Sequence, residues 1–290
     1  MISIDNNDIK HLKNVWDDNE RLFDYLNSEN KGGETIVRYL WIMLKIQFRI
    51  PISVFFSLGF PLLMMFVMMT SFGNIDFGNG YHLIDKYFMM TAGMGMLPLA
   101  FITFPMGFGE NLENESYKRL AYFGLSTRAM VMYDVLSNFL VMLLGLITNI
   151  TFAFFMYQLR LPSIEYFFGY IIQSLYCGIV LLMLGALVTL LVKKPQVLQP
   201  LGMILMFGSF ILSGAMGGNF DMLPEGFQRV GNVLPIKYAM NDFFQIWFEE
   251  EVFIQSFLTL NTIWLFALLL LLGGVLMWQN RKRQQTKQMV

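Results

Sequence analysis

The segment Glu110–Arg119 sets three acids, Glu110, Glu113 and Glu115, ahead of two bases, Lys118 and Arg119, at separations of mostly three to five residues. That order suits a short helix, because the helix dipole favours acids early and bases late, and because residues at i+3 and i+4 share a face. The chemistry it offers is ionic. It can dock a charged partner, or it can anchor a connection at a membrane surface, where basic residues gather in any membrane protein. Other chemistries lack their residues. No Gly-x-x-x-x-Gly-Lys-Ser/Thr stretch occurs, so the chain has no phosphate-binding loop and is not an ATPase by that mechanism. His11 and His82 are the only histidines, no His-Glu-x-x-His pair exists and Cys177 is the single cysteine. A zinc site and an intramolecular disulfide are therefore excluded. Glu249, Glu250 and Glu251 are consecutive and point in different directions on a helix, which reads as a solvated face rather than paired catalytic carboxylates.

The elements that position this charged segment are apolar. Of 290 residues, 56% are hydrophobic and 14% charged, against about 25% charged in soluble domains. Mean hydropathy is +0.52. Six stretches, Ile50–Phe72, Tyr87–Gly109, Met130–Tyr157, Tyr166–Val192, Val197–Met216 and Phe257–Trp278, carry no charge near their centres. Roughly 20 helical residues cross a hydrocarbon core of about 30 Å. The expected fold is therefore an all-α integral membrane protein with six transmembrane helices. Net charge is -1, so no basic excess points to nucleic acid.

Orientation follows from the basic residues beside the spans. With both termini cytosolic, Arg38, Lys45, Arg49, Lys118, Arg119, Arg128, Lys193, Lys194, Arg281, Lys282, Arg283 and Lys287 lie inside, against Lys86, Arg160, Arg229 and Lys237 outside. This is a strong positive-inside bias. The first 34 residues hold eight Asp or Glu and four Lys or Arg, unlike a cleavable signal peptide.

Four regions are expected: a polar cytosolic segment with an amphipathic helix over 1–33, an interfacial connecting helix over 34–49, a six-span domain over 50–280 and a basic cytosolic tail over 281–290. In the second region Arg38, Lys45 and Arg49 share one face, with Trp41 beside them, which suits a helix among lipid headgroups. The alternative is a simple extension of the first span. The external connection Gly217–Ser256 is too apolar for a solvated loop, and Pro224 and Pro235 divide it. It is expected to form short re-entrant helices between spans 5 and 6, with Leu234–Pro235 at their junction. Pro98 and Pro105 should kink the second span, where Gly93, Gly95, Gly107 and Gly109 permit bending or close packing. Gly214 and Gly218 repeat a small-x-x-x-small spacing that serves either a dimer seam or packing within one protomer. The 23 methionines read as lipid-facing filler or as adaptable apolar surface for varied ligands.

These features together resemble the type-2 permeases of ABC transporters, the six-span exporter membrane subunits of the type V ABC fold. The resemblance is carried by the Glu-x-Glu pair before a basic helix and turn, by Arg49-Ile-Pro51 entering a span with Phe60-Pro61-Leu62, and by Leu234-Pro235 after Ser213-Gly214. The chain departs from the family at Gly124, where proline is usual, and at Asp134, where a basic residue is common. The resemblance implies that a cytosolic ABC ATPase subunit docks on Glu110, Glu113, Glu115, Lys118 and Arg119, with ATP and Mg on that partner and no cofactor in this chain. It implies a second permease copy or paralogue, and a path or seam between spans 2 and 5 near Pro98, Pro105, Met203, Phe207, Gly214 and Gly218. The expected location is multi-pass in a bacterial cell membrane. With few charges inside the spans, a hydrophobic or amphipathic cargo such as a drug, an antimicrobial peptide or a lipid-like molecule is favoured over an ion. The rival readings are a non-transporting membrane scaffold and an intramembrane enzyme. The enzyme would need positioned acids, bases or metal ligands, and the scaffold would not need the charged segment.

Overall fold

The computed structural model describes residues 54–78, 80–117, 119, 127–192, 194–215 and 220–288, together with 41, 42, 44, 45, 47 and 48. The expectations placed on 1–33 and on Arg38, Arg49, Lys118 and Gly218 lie outside the described residues.

Among the described residues, six helices are long and apolar enough to cross a membrane: span 1 (Phe55–Phe72), span 2 (Leu83–Glu113), span 3 (Met130–Tyr157), span 4 (Ile164–Val192), span 5 (Pro195–Leu212) and span 6 (Gln255–Trp278). Each overlaps one of the apolar stretches, and the chain is an all-α multi-pass membrane protein. Span 2 starts earlier than its apolar run because Asp85 caps it. The Asp85 carboxylate accepts the His82 backbone N–H at 2.7 Å, which closes the helix start, and the Arg160 backbone N–H at 3.1 Å, which ties in the connection between spans 3 and 4. The helix of span 6 continues to Gln288, so the basic tail extends it rather than hanging free.

Span 2 is the centre of the bundle. In its most apolar window 83% of residues are buried, against 11% in span 6. The expected proline distortion takes the form of a π turn over Leu99–Thr103, between Pro98 and Pro105. Pro105 has no N–H to offer the carbonyls of Ala100 and Phe101. Those oxygens face Gly185 on span 4 and Gly202 on span 5, where a Cβ would have to lie inside 3.0 Å of them. Only glycine lets neighbouring backbones approach this closely.

At one end of the bundle, strands β1 (Asp76–Gly78) and β2 (Tyr81–His82) form an antiparallel hairpin between spans 1 and 2, with Asp76 paired to His82 and Gly78 to Tyr81. The same end holds the connection between spans 5 and 6, which is helical over Phe220–Met222, Glu225–Gly231, Pro235–Lys237, Tyr238–Asp242 and Phe244–Trp247. The second half of this connection packs into the bundle, whereas Met222, Phe227, Val230 and Val233 in its first half are exposed. Ile236, Met240, Phe243, Ile246 and Trp247 are each at most 1% exposed. Trp247 lies 4.4 Å from Phe88 and 5.3 Å from Tyr170, ring centre to ring centre, and Phe243 meets Phe257 edge-on at 4.9 Å. The Trp247 indole N–H donates to the Arg160 carbonyl at 2.8 Å, so its one polar atom is satisfied.

Candidate functional site

The opposite end carries the charged segment. Span 2 closes with the helix Phe104–Glu113, and Asn114 N–H donates back to the Glu110 carbonyl at 2.9 Å. Glu115 then takes a left-handed φ of 54°, which ends the helix and redirects the chain, at a backbone cost that non-glycine residues meet only where a turn demands it. Helical backbone resumes at Ser116 and Tyr117. Glu113, Glu115 and Arg119 are exposed, whereas Tyr117 is buried. The acids therefore face outward on a segment that one aromatic side chain pins to the bundle.

Asp134, at the foot of span 3, holds that pin. Its carboxylate accepts the Tyr117 hydroxyl at 2.5 Å and the Asn111 amide at 3.4 Å. Burial, and then the adjacent Asp134 charge, raise the Tyr117 pKa above its ordinary value, so the hydroxyl keeps its proton and remains a donor. One turn along, Asn138 donates to the Asp134 carbonyl at 2.8 Å and accepts the Gln47 amide at 2.7 Å. The helix before span 1, the foot of span 3 and the segment after span 2 are thus joined by one polar chain. A hydrogen bond to a charged group in such a setting contributes about 1.5–3 kcal/mol. On the outer face of the first of these, Lys45 Nζ sits 5.6 Å from the Trp41 ring centre.

Beside this clasp, a cleft of about 250 Å³ opens between spans 2 and 5. Pro98, Met203 and Phe207 line it, and so do Glu110 and Gln199. Gly107 borders it with open space where a side chain would stand, whereas Gly93, Gly95 and Gly109 each meet a neighbouring element closely. Two residues of the expected path lie elsewhere. Pro105 packs toward Gly185, and Gly214 ends span 5 with φ 77° against the backbone of Phe220, a contact within the chain. Pro224 and Leu234 precede the helices Glu225–Gly231 and Pro235–Lys237 at the other end; Pro224 is exposed and Pro235 buried.

Sequence reasoning missed Tyr117, Asn111, Gln199, Gly185 and Gly202, and it noted Asp134 without assigning it a partner. The one available signal was a carboxylate just inside an apolar run, which must find donors.

A family model described as ABC-2 type transporter matches residues 35–248. No curated protein and no solved structure gives a match.

Proposed function

The chain belongs to the ABC-2 type transporter family and is an ABC transporter permease; on that premise we propose that it is the membrane subunit of an ATP-driven exporter of hydrophobic or amphipathic molecules. ATP hydrolysis is supplied by a separate cytosolic ATPase subunit, and a second permease copy or paralogue completes the path. The observation that carries this reading is the segment Glu113–Arg119. It continues span 2, presents exposed acids, and is tied to span 3 through Tyr117 and Asp134. A partner's motion against such a segment reaches two spans at once. The apolar cleft beside it, bounded by Met203 and Phe207, supports a cargo of low polarity, since hydrophobic pockets with few polar groups suit such ligands. The basic residues beside the spans support both termini being cytosolic and a cell-membrane location, with the charged segment inside and residues 220–254 outside.

The test is to purify the permease with its ATPase in lipid and to follow cargo-stimulated ATP hydrolysis beside vesicle uptake. Glu113→Ala with Glu115→Ala is expected to leave insertion intact, because both side chains are exposed, and to reduce export per ATP hydrolysed. Transport by this chain without an ATPase, or full coupling in the double variant, contradicts the reading. Orientation has its own check: cysteine at Gly226 reacts with an impermeant reagent from outside, and cysteine at Asn114 does not.

A further inference from the structure

We propose that the cleft between spans 2 and 5 selects amphiphiles bearing a positive charge at one end, and that Glu110 is the residue that recognises the cation. The inference rests on the permease reading and names the cargo class of that site.

The cleft is mostly apolar, with a few polar groups along it. Phe56, Ile102, Met106, Met203 and Phe207 supply its walls, while Thr103, Gln199 and Glu110 supply its polar atoms. Among the described residues that line it, Glu110 is the one ionisable group. From Pro98 to Glu110 the lining of span 2 covers about 18 Å at about 1.5 Å per residue, which matches an extended hydrocarbon body with a head group at the Glu110 end. Methionine and phenylalanine walls adapt to varied chains, so shape selects loosely and charge is the feature left to discriminate.

Glu110 is an exposed acid on the cleft lining. It lies in the last turn of the helix Phe104–Glu113, which has no base in that turn, so its carboxylate adds to the negative end of the helix dipole. No ion pair of Glu110 forms among the described residues. The carboxylate and the helix end therefore project one sign of field into a cleft with low-dielectric walls, where charge interactions are stronger than in water. A cation on the cargo resolves this arrangement, whereas an anion is repelled. Gln199, on span 5, adds an amide to the cleft lining.

The experiment is equilibrium binding to the full-length permease in nanodiscs of uncharged phosphatidylcholine, without ATPase, with empty discs subtracting partition into lipid. Three dodecyl probes differ in the head group: dodecyltrimethylammonium, uncharged dodecyldimethylphosphine oxide and anionic dodecyl sulfate, each below its micellar concentration. The cation is expected to bind about tenfold more tightly than the uncharged probe, a difference within reach of one partly desolvated ion pair. Glu110→Gln, an isosteric change at an exposed position, should bring the two to parity, and Met203→Trp, which fills the cleft, should weaken both. Equal binding by the wild type, a cation preference that survives Glu110→Gln, binding untouched by Met203→Trp, or no binding of the cation overturns the proposal. Because no ATPase is present, these outcomes are separate from the exporter reading, which is judged by ATP-driven uptake and its coupling to hydrolysis.

Discussion

At the end of the bundle that carries residues 220–254, apolar burial and capped turns hold the connections, whereas at the opposite end, among the described residues, the Asp134 carboxylate and the contact of Tyr117 with Phe108 hold the segment that follows span 2. Trp247 and Phe243 at the first end are buried among rings from spans 2, 4 and 6. Asp85 and Tyr81 fix the hairpin there, with the Arg160 guanidinium 4.6 Å from the Tyr81 ring centre. At the second end, the exposed acids hang from Tyr117, Asn111 and Asp134. Packed interiors resist small displacements, and a polar clasp can exchange partners at modest cost. The difference suits a platform at one end and a transmitting element at the other.

The largest expected effect lies in the platform. Trp247→Ala removes a side chain that is 1% exposed together with its indole bond to Arg160, and should cost about 3–5 kcal/mol. Thermal unfolding of the purified permease should show a large fall in Tm; a near-normal Tm would mean that this end is not rigidly packed. Gly202→Val tests the hub between the two ends. It forces a Cβ against the Phe101 carbonyl and should cost about 1–3 kcal/mol or more by overpacking. Gly208→Ala on the same helix meets nothing within 4 Å and should be tolerated in the same assay.

The smallest effect concerns a surface tie at the platform. Glu249 accepts the Ser163 backbone N–H at 2.6 Å, and this bond lowers its pKa below the ordinary 4.5. A carboxylate with a lowered folded pKa contributes stability that is present above its unfolded value and lost as pH falls through the folded one. Intrinsic-rate-corrected hydrogen exchange at Ser163 should therefore lose protection below about pH 4.5, and Glu249→Gln should flatten that dependence. Unchanged pH dependence in the variant would assign it to another group.

The spans were legible because each is an uninterrupted apolar run, which only a membrane or a large core accommodates. The burial of residues 235–247 was legible for the same reason, from Phe243, Ile246 and Trp247 in an apolar run after Pro235, but Phe227, Val230 and Val233 are exposed although they are apolar too. The hairpin was not, since Asp76–Gly78 and Tyr81–His82 are too short to show a period. Pro98 and Pro105 announced a distortion, but the π turn between them depends on Gly185 and Gly202, far apart in sequence, giving room to two carbonyls. Pro98, Met203 and Phe207 were placed in one path by family resemblance, and the structure brings them together beside Glu110. The Tyr117–Asp134 clasp joins residues 17 apart in sequence, and no local pattern encodes that contact.

The central claim, that the segment after span 2 works through this clasp, is tested most directly by the number of cargo molecules exported per ATP hydrolysed in vesicles. Tyr117→Phe removes the donor yet keeps the buried ring, while Asp134→Asn keeps a carbonyl oxygen that can accept from Tyr117 and Asn111. The expected result is a several-fold lower ratio for Tyr117→Phe with ATP hydrolysis maintained, and a smaller loss for Asp134→Asn. A wild-type ratio in Tyr117→Phe, from protein that folds and binds its ATPase normally, would contradict the account.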